Sequence, residues 1–314
     1  MSQTILCIGA TPAAQRVMVF RRLAVDAVNR AKVTGDGAAG KAVNVAKVLK
    51  LLGEKPVAMG FLGGGDRGAR MRTMLQERGI DTDFIEVPAP TRECITVLDE
   101  EAGTQTELVE ESRPVEAAFY EALLQAVRRR LEGCSAVVMS GTLTPGAPAD
   151  FYQRCAEAAQ EAAALTIIDA HGPPLTAALH ASPGVAKPNK AELAAMLGSE
   201  LGTETDLMEA MRELQNRGAK QVVVTGGKEP VLAFDGRDFW KISPPLIKAL
   251  NPIGSGDAFT AGLTCRLIQG ENLAEACRWA AACGAANALT LMPGDLNPHG
   301  LSQLAQDVRI QKVA

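Results

Sequence analysis

The strongest constraint on the fold is a recurring unit: an amphipathic helical stretch that stops at glycine, followed by a short and wholly apolar run. "VNVAKVLKLLG" sets Val45, Val48, Leu49 and Leu52 on one face and stops at Gly53. "MRTMLQERG" repeats this with Met71, Met74 and Leu75 before Gly79, and "AFYEALLQAVRRRLEG" runs to Gly133. The runs "SAVVMSG", "LTIIDA" and "KQVVVTGG" are short and uniformly apolar. Such runs suit central parallel strands covered by helices on both faces. The repetition predicts an α/β fold, with right-handed crossovers and a mostly parallel central sheet flanked by helices.

Two regions break the rhythm. Arg16–Thr34 and Thr91–Val109 carry β-type stretches, "VMVF", "ECITVLD" and "TQTELV", without a clear helix between them. They are expected to pair as a small β-sheet lid from segments near 11–36 and 91–110. No Pro/Gly/Ser linker divides the chain, so residues 1–314 are expected to form a single domain bearing this lid.

Charge and composition narrow the function classes. The chain has 314 residues and a net charge of -4, so no global basic field points to nucleic acid. An anionic ligand must then be held by a few local cations or by backbone amides. No apolar run reaches membrane length, because Arg278 and polar breaks interrupt the longest candidate. The opening "MSQTILCIGATP" has no charged flank and reads as a first strand, not an export signal. The seven cysteines form no CxxC pair, which suits reduced, buried thiols in a cytoplasmic protein. His171, His180 and His299 are too dispersed for a metal site.

The candidate chemistry centres on "NPIGSGDAFTAGL". Gly254, Ser255 and Gly256 precede Asp257, and a helical pattern follows it. A helix N-terminus offers unpaired N–H groups and a partial positive charge. Small residues there let the backbone approach a phosphate closely. Asp257 beside that phosphate could take the proton of an attacking hydroxyl. A tight turn with an acid in the first helical turn accounts for the same residues structurally. In "DGAAGKAVNVAKVLKLLG", Lys41 and Asn44 stand at a helix entrance. In "KPNKAEL", Asn189 and Glu192 follow Lys187 at another, three residues apart. A capping box explains the latter pair equally well. Recurrence at the ends of successive βα units, where open α/β sheets bind ligands, favours a site.

These stretches, with "ILCIGATPAAQ", "VNRA", "FLGGGDRG", "TRECITVLDEEAGTQTEL", "SGTLTPGAPADFY" and "VVVTGG", carry a resemblance over nearly the whole chain. The sequence resembles the ribokinase-like (PfkB) sugar kinases, within them the tagatose-6-phosphate kinase and 1-phosphofructokinase branch. The resemblance implies a ribokinase-like fold and phosphoryl transfer from ATP, with Mg²⁺, to a hydroxyl of a phosphorylated ketohexose. The candidates are tagatose 6-phosphate, fructose 6-phosphate and fructose 1-phosphate. It implies that Asp257 is the catalytic base and that the amides of Gly254, Ser255 and Gly256 form the anion hole. Lys187, Asn189 and Glu192 would serve the ATP phosphates and Mg²⁺, with Glu192 acting on the metal through water. Thr225 and Gly227 would lie along the nucleotide, and Asn287 near the adenine. Gly40, Lys41 and Asn44 would hold the sugar, and Arg92 would pair with the phosphate already on it, helped by Arg30 and Thr142. It further implies a homodimer built through the lid.

The chain also departs from the family's pattern. Gln15 stands where an acid usually orients sugar hydroxyls, and Ala39 and Ala42 stand where glycine is usual. Two other readings therefore stay open: a kinase for an unphosphorylated sugar or nucleoside, and a sugar-phosphate binder with impaired catalysis.

Overall fold

The computed structural model describes residues 2–313. Strand β1 (Thr4–Gly9) opens a large sheet. The chain leaves it for β2 (Ala13–Phe20) and β3 (Val33–Ala39), then returns through α1 (Lys41–Leu51) to β4 (Lys55–Gly63). Next come α2 (Asp66–Glu77) and β5 (Asp81–Val87), followed by β6 (Arg92–Asp99) and β7 (Thr104–Val109). Helices and strands then alternate through α3 (Ala117–Arg130), β8 (Cys134–Ser140), α4 (Phe151–Glu161) and β9 (Leu165–Asp169). They continue through α5 (Gly172–Leu179), β10 (Val185–Ala186), α6 (Lys190–Leu197) and α7 (Glu204–Asn216). Strands β11 (Gln221–Gly226), β12 (Glu229–Phe234) and β13 (Phe239–Ser243) follow one another directly. Helices α8 (Ser255–Leu267), α9 (Leu273–Ala288) and α10 (Leu301–Asp307) precede β14 (Arg309–Lys312).

The large sheet has ten strands in the order β14-β13-β12-β11-β10-β9-β8-β1-β4-β5. From β5 across to β11 every pairing is parallel. Beyond β11 the pairings turn antiparallel: short turns join β11 to β12 and β12 to β13, and β14 returns to the edge after α8–α10. The apolar runs read as central strands are β8, β9 and β11.

Alternation along β1 shows why these strands are apolar throughout. Leu6 and Ile8 face one cluster with Leu123, Phe151 and Met211, while Ile5 and Cys7 face another with Val48, Phe259 and Cys277. Both faces are thus helix-covered. Each fully buried Leu or Ile contributes about 1.5–3 kcal/mol relative to exposure. All seven cysteines are free and buried. Among the described residues, no helix is long and apolar enough to cross a membrane.

The small sheet, in the order β3-β2-β6-β7, is the expected lid. Its own buried cluster is only Val17, Val19 and Leu98, backed by Leu291 and Met292 from the turn after α9. At its tip Val25 is 94% and Val28 81% exposed, and every residue of β7 is exposed.

Candidate active site

The site lies where parallel strands end and helices begin. Helix α8 starts at Gly254, which has φ 85° and packs so tightly that a Cβ would meet Pro293 at 2.9 Å. Only glycine fits both demands. The Ser255 N–H donates to Pro252 O at 3.1 Å. The amides of Gly254, Gly256 and Asp257 donate to no protein group among the described residues. Asp257, in the first turn, is 6% exposed and accepts a hydrogen bond from Asn44 Nδ2 at 2.8 Å. Burial pushes its carboxyl up to about 6; Lys41 pulls the other way and Asp169 adds to the rise.

Asn44 reaches Asp257 from α1. Gly40 before that helix has φ 103°, and a Cβ on it would sit 2.8 Å from Pro12 Cα. The Oδ1 atom of Asn44 is buried without a partner. It lies against Gly294, where a Cβ would sit 3.0 Å from it.

A residue that sequence reasoning passed over ties the cluster together. Asp169, the last residue of β9, is 1% exposed. Its Oδ1 pairs with Lys41 at 3.1 Å and its Oδ2 with Lys187 at 3.2 Å. Burial alone would raise its carboxyl, but Lys187 and Lys41 outweigh it and hold the group down to about 2. The Thr260 hydroxyl lies 2.8 Å from Asp169 Oδ2 and 2.9 Å from Gly256 O, and its single proton serves one at a time. Asp169 also raises Lys41, whose side chain is 41% exposed and free to turn toward a ligand. A faint signal for Asp169 was present: an acid closing the apolar run "LTIIDA" at the ligand-binding end of a parallel strand.

On the nucleotide side expected from the sequence, Asn189 caps α6. Its side chain accepts from the Glu192 N–H, and Glu192 Oε2 accepts from the Asn189 N–H, each at 2.8 Å. The structural account of that spacing is therefore realised, and it leaves Glu192 Oε1 without a hydrogen bond among the described residues. A bridge joins Asn189 to Thr225 at the end of β11, and Gly227 lies in the turn that follows, with φ 68°.

Asn287, expected near the adenine, lies on α9. It is 0% exposed, donates to Ile253 O at 2.9 Å and accepts from the Gly294 N–H at 2.8 Å. Its Nδ2 also lies 3.4 Å from Ser255 Oγ, so it braces the turn that leads into α8.

The lid contributes Gln15 and Arg92. Gln15 is buried, and its Nε2 donates to Thr96 Oγ1 at 2.9 Å. The Arg92 guanidinium donates through Nε and Nη2 to Thr11 O at 3.2 and 3.1 Å, and Thr11 Oγ1 donates to Thr142 O at 3.4 Å. Arg92 and Thr142 thus meet at Thr11. Arg30 sits apart on the exposed 21–32 loop, without a hydrogen bond or ion pair among the described residues. Ala39 ends β3 and Ala42 is the second residue of α1, both buried. Among the described residues, no group of three His, Cys, Asp or Glu side chains could hold a metal ion.

The pattern of the pfkB family carbohydrate kinases matches residues 2–299. A tagatose-6-phosphate kinase from Staphylococcus epidermidis is 31% identical over 292 residues, 92% of this chain and 93% of that protein. Escherichia coli phosphofructokinase-2, solved with substrates and products, superposes with a TM-score of 0.87 at 26% identity, covering 98% of this chain and 99% of that one. A Thermotoga maritima structure described as a possible 1-phosphofructokinase gives 0.91 at 23% identity, covering 99% and 100%, and shows the fold alone. The chain belongs to the pfkB family of carbohydrate kinases and has its ribokinase-like fold.

Proposed function

We propose that the protein transfers the γ-phosphoryl group of ATP to a primary hydroxyl of a phosphorylated ketohexose. The observation that carries this is Asp257: a buried carboxyl raised to about 6, beside Asn44 and the amides that open α8. A base with a pKa near the working pH is ionised often enough to accept a proton, and basic enough to draw one. The hydroxyl proton passes to Asp257 as the oxygen attacks. The amides of the 254–257 turn then take up charge on the migrating group, with the helix dipole behind them.

Lys187 and Lys41 are the cations for the nucleotide and sugar ends respectively. Both are parked on Asp169 until an anion competes for them. The free oxygen of Glu192 suits Mg²⁺ held mainly by phosphates and waters, which is how Mg²⁺ usually binds. The ion would neutralise phosphate charge there. Thr225 and Gly227 are assigned to the nucleotide. Arg92, whose planar fork is spent only on one carbonyl, is assigned to the substrate's existing phosphate. A homodimer through the lid follows from the same reading, because the apolar tip and the bare β7 edge need a cover.

The test is a turnover screen with Mg-ATP against tagatose 6-phosphate, fructose 6-phosphate, fructose 1-phosphate, ribose and nucleosides. Turnover confined to ribose or a nucleoside removes the assignment to Arg92. Phosphosugar binding without turnover makes the protein a binder.

A further inference from the structure

One charged group deep in the molecule has no part in the chemistry above. Lys47, on α1, is 2% exposed, and no carboxylate lies within ion-pair distance of it among the described residues. Its ammonium donates instead to two backbone carbonyls: Ala38 O at 3.2 Å, and Pro293 O. Burying an ammonium costs several kcal/mol even after relaxation, and two carbonyls offset only part of that. A methionine would fill the same space without the charge.

The two carbonyls belong to segments that matter. Ala38 is in lid strand β3, one residue before its end. Pro293 is in the 291–295 turn, which touches the lid, the start of α8 and Asn44. Leu291 and Met292 back the lid's small cluster, and Met292 lies over Gly35 and Gly37 of β3. Pro293 and Gly294 support Gly254, and Gly294 lies against Asn44. Asp295 pairs with Arg78 at the end of α2. Asn287 and Asn251 hold the same turn from the opposite side.

We propose that Lys47 is a positioning residue for phosphoryl transfer: its ammonium fastens the root of lid strand β3 to the turn on which Gly254 and Asn44 rest. The lid's position over the sugar and the shape of the anion site are then set by one clamp. The clamp is strongest while Lys47 is charged, because a neutral amine keeps two N–H donors but loses the charge that roughly doubles the strength of each bond. Burial lowers the ammonium to about 8; Asp295 and Asp257 act to raise it and Arg78 to lower it. These three are the charged groups that act on it, from the 291–295 turn, α8 and α2. The inference rests on the kinase reading only for its activity readout.

The experiment compares wild type, Lys47→Met and Lys47→Arg. The first readout is the pH profile of kcat/KM for Mg-ATP and a phosphoketohexose between pH 6 and 10. Wild type should lose activity through an alkaline limb centred near 8. Lys47→Met should fall about 10- to 100-fold at pH 7, the scale of charge-assisted hydrogen bonds lost, and lack that limb. Lys47→Arg carries a charge that does not titrate, so it should recover activity over Lys47→Met and hold it to high pH. The second readout needs no turnover: amide hydrogen exchange at pH 7. Lys47→Met should speed exchange in 33–39 and 289–295 together, and Lys47→Arg should not. Wild-type kcat/KM in Lys47→Met, an alkaline limb retained in Lys47→Arg, or unchanged exchange in both segments each overturns the proposal. Should wild type turn over no phosphosugar, the substrate reading fails, and the exchange result alone decides on Lys47.

Discussion

The base of the α/β body and the lid are held together by opposite means. At the body end, Asp169, Lys187 and Thr260 are nearly excluded from water and bonded to one another across three chain segments, and buried Asp257 is bonded to Asn44. At the lid, three buried side chains and two borrowed from the 291–295 turn make the whole core, while its tip and one edge lie bare. The first arrangement holds its charges by burial and mutual bonds. The second keeps a cover that costs little to move. A kinase needs both: rigid dipoles at the migrating phosphoryl group, and a lid that admits sugar and then shuts out water.

The largest effect expected from breaking this contrast is at Asp257. Asp257→Asn should lower kcat by about 10²–10⁴ with the fold and ATP binding retained. It should also stabilise the protein at pH 7. The folded carboxyl, raised to about 6 against an ordinary 3.8, favours the protonated form. Its contribution is therefore fully present below about pH 4 and lost as pH rises through 6. The Asn variant escapes that loss, gaining on the order of 1–3 kcal/mol at pH 7 and little at pH 4. Melting both proteins at the two pH values checks the sign, and equal kcat would refute the base.

Next comes Asp169→Asn, which leaves buried Lys187 without its counter-charge. Removing one partner of a buried pair costs about 3–5 kcal/mol, read from urea unfolding midpoints. A loss below about 1 kcal/mol would mean that the body end is no more rigid than the lid. Arg92→Ala should raise KM for the phosphosugar about 10- to 100-fold and leave KM for ATP alone. Equal rises would move Arg92 from the substrate to the lid's framework. The smallest change in folding energy is expected at the bare edge: Leu108→Asp should alter monomer stability by less than about 0.5 kcal/mol. In light scattering at micromolar concentration it should nevertheless give monomers where wild type gives dimers. A wild-type monomer would count against the lid interface.

The contrast also explains what could be read from the chain. Helices α1, α2 and α3 and strands β8, β9 and β11 were legible because each buries its pattern locally, in period and in length. Lid strands β2, β6 and β7 were legible from their β-branched runs. Strand β3, "VTGDGAA", was not: glycine and aspartate argue against a strand, and it is one because Met292 fills the space over Gly35 and Gly37. The turn at Gly254–Asp257 was legible because small residues before an acid have few other uses. Asp169 was obscure because its partners, Lys41 and Lys187, are far away in sequence. The bracing contacts of Asn287 were obscure because a polar side chain can brace a turn as readily as touch a ligand.

Strand β1 carries one more consequence. It comes first in the chain, yet it lies inside the large sheet, with Thr4 in register with Lys55 on one side and Cys134 on the other. During synthesis its second edge must wait for a partner 130 residues downstream. At about 5–20 residues per second that is roughly 7–26 s. Throughout that interval "TILCIG" is an apolar strand with an open edge, and closing so long a loop is slow in itself. Yield on rapid overexpression should therefore be limited by the nascent chain, and slower translation or a chaperone that shields the first strand should raise it.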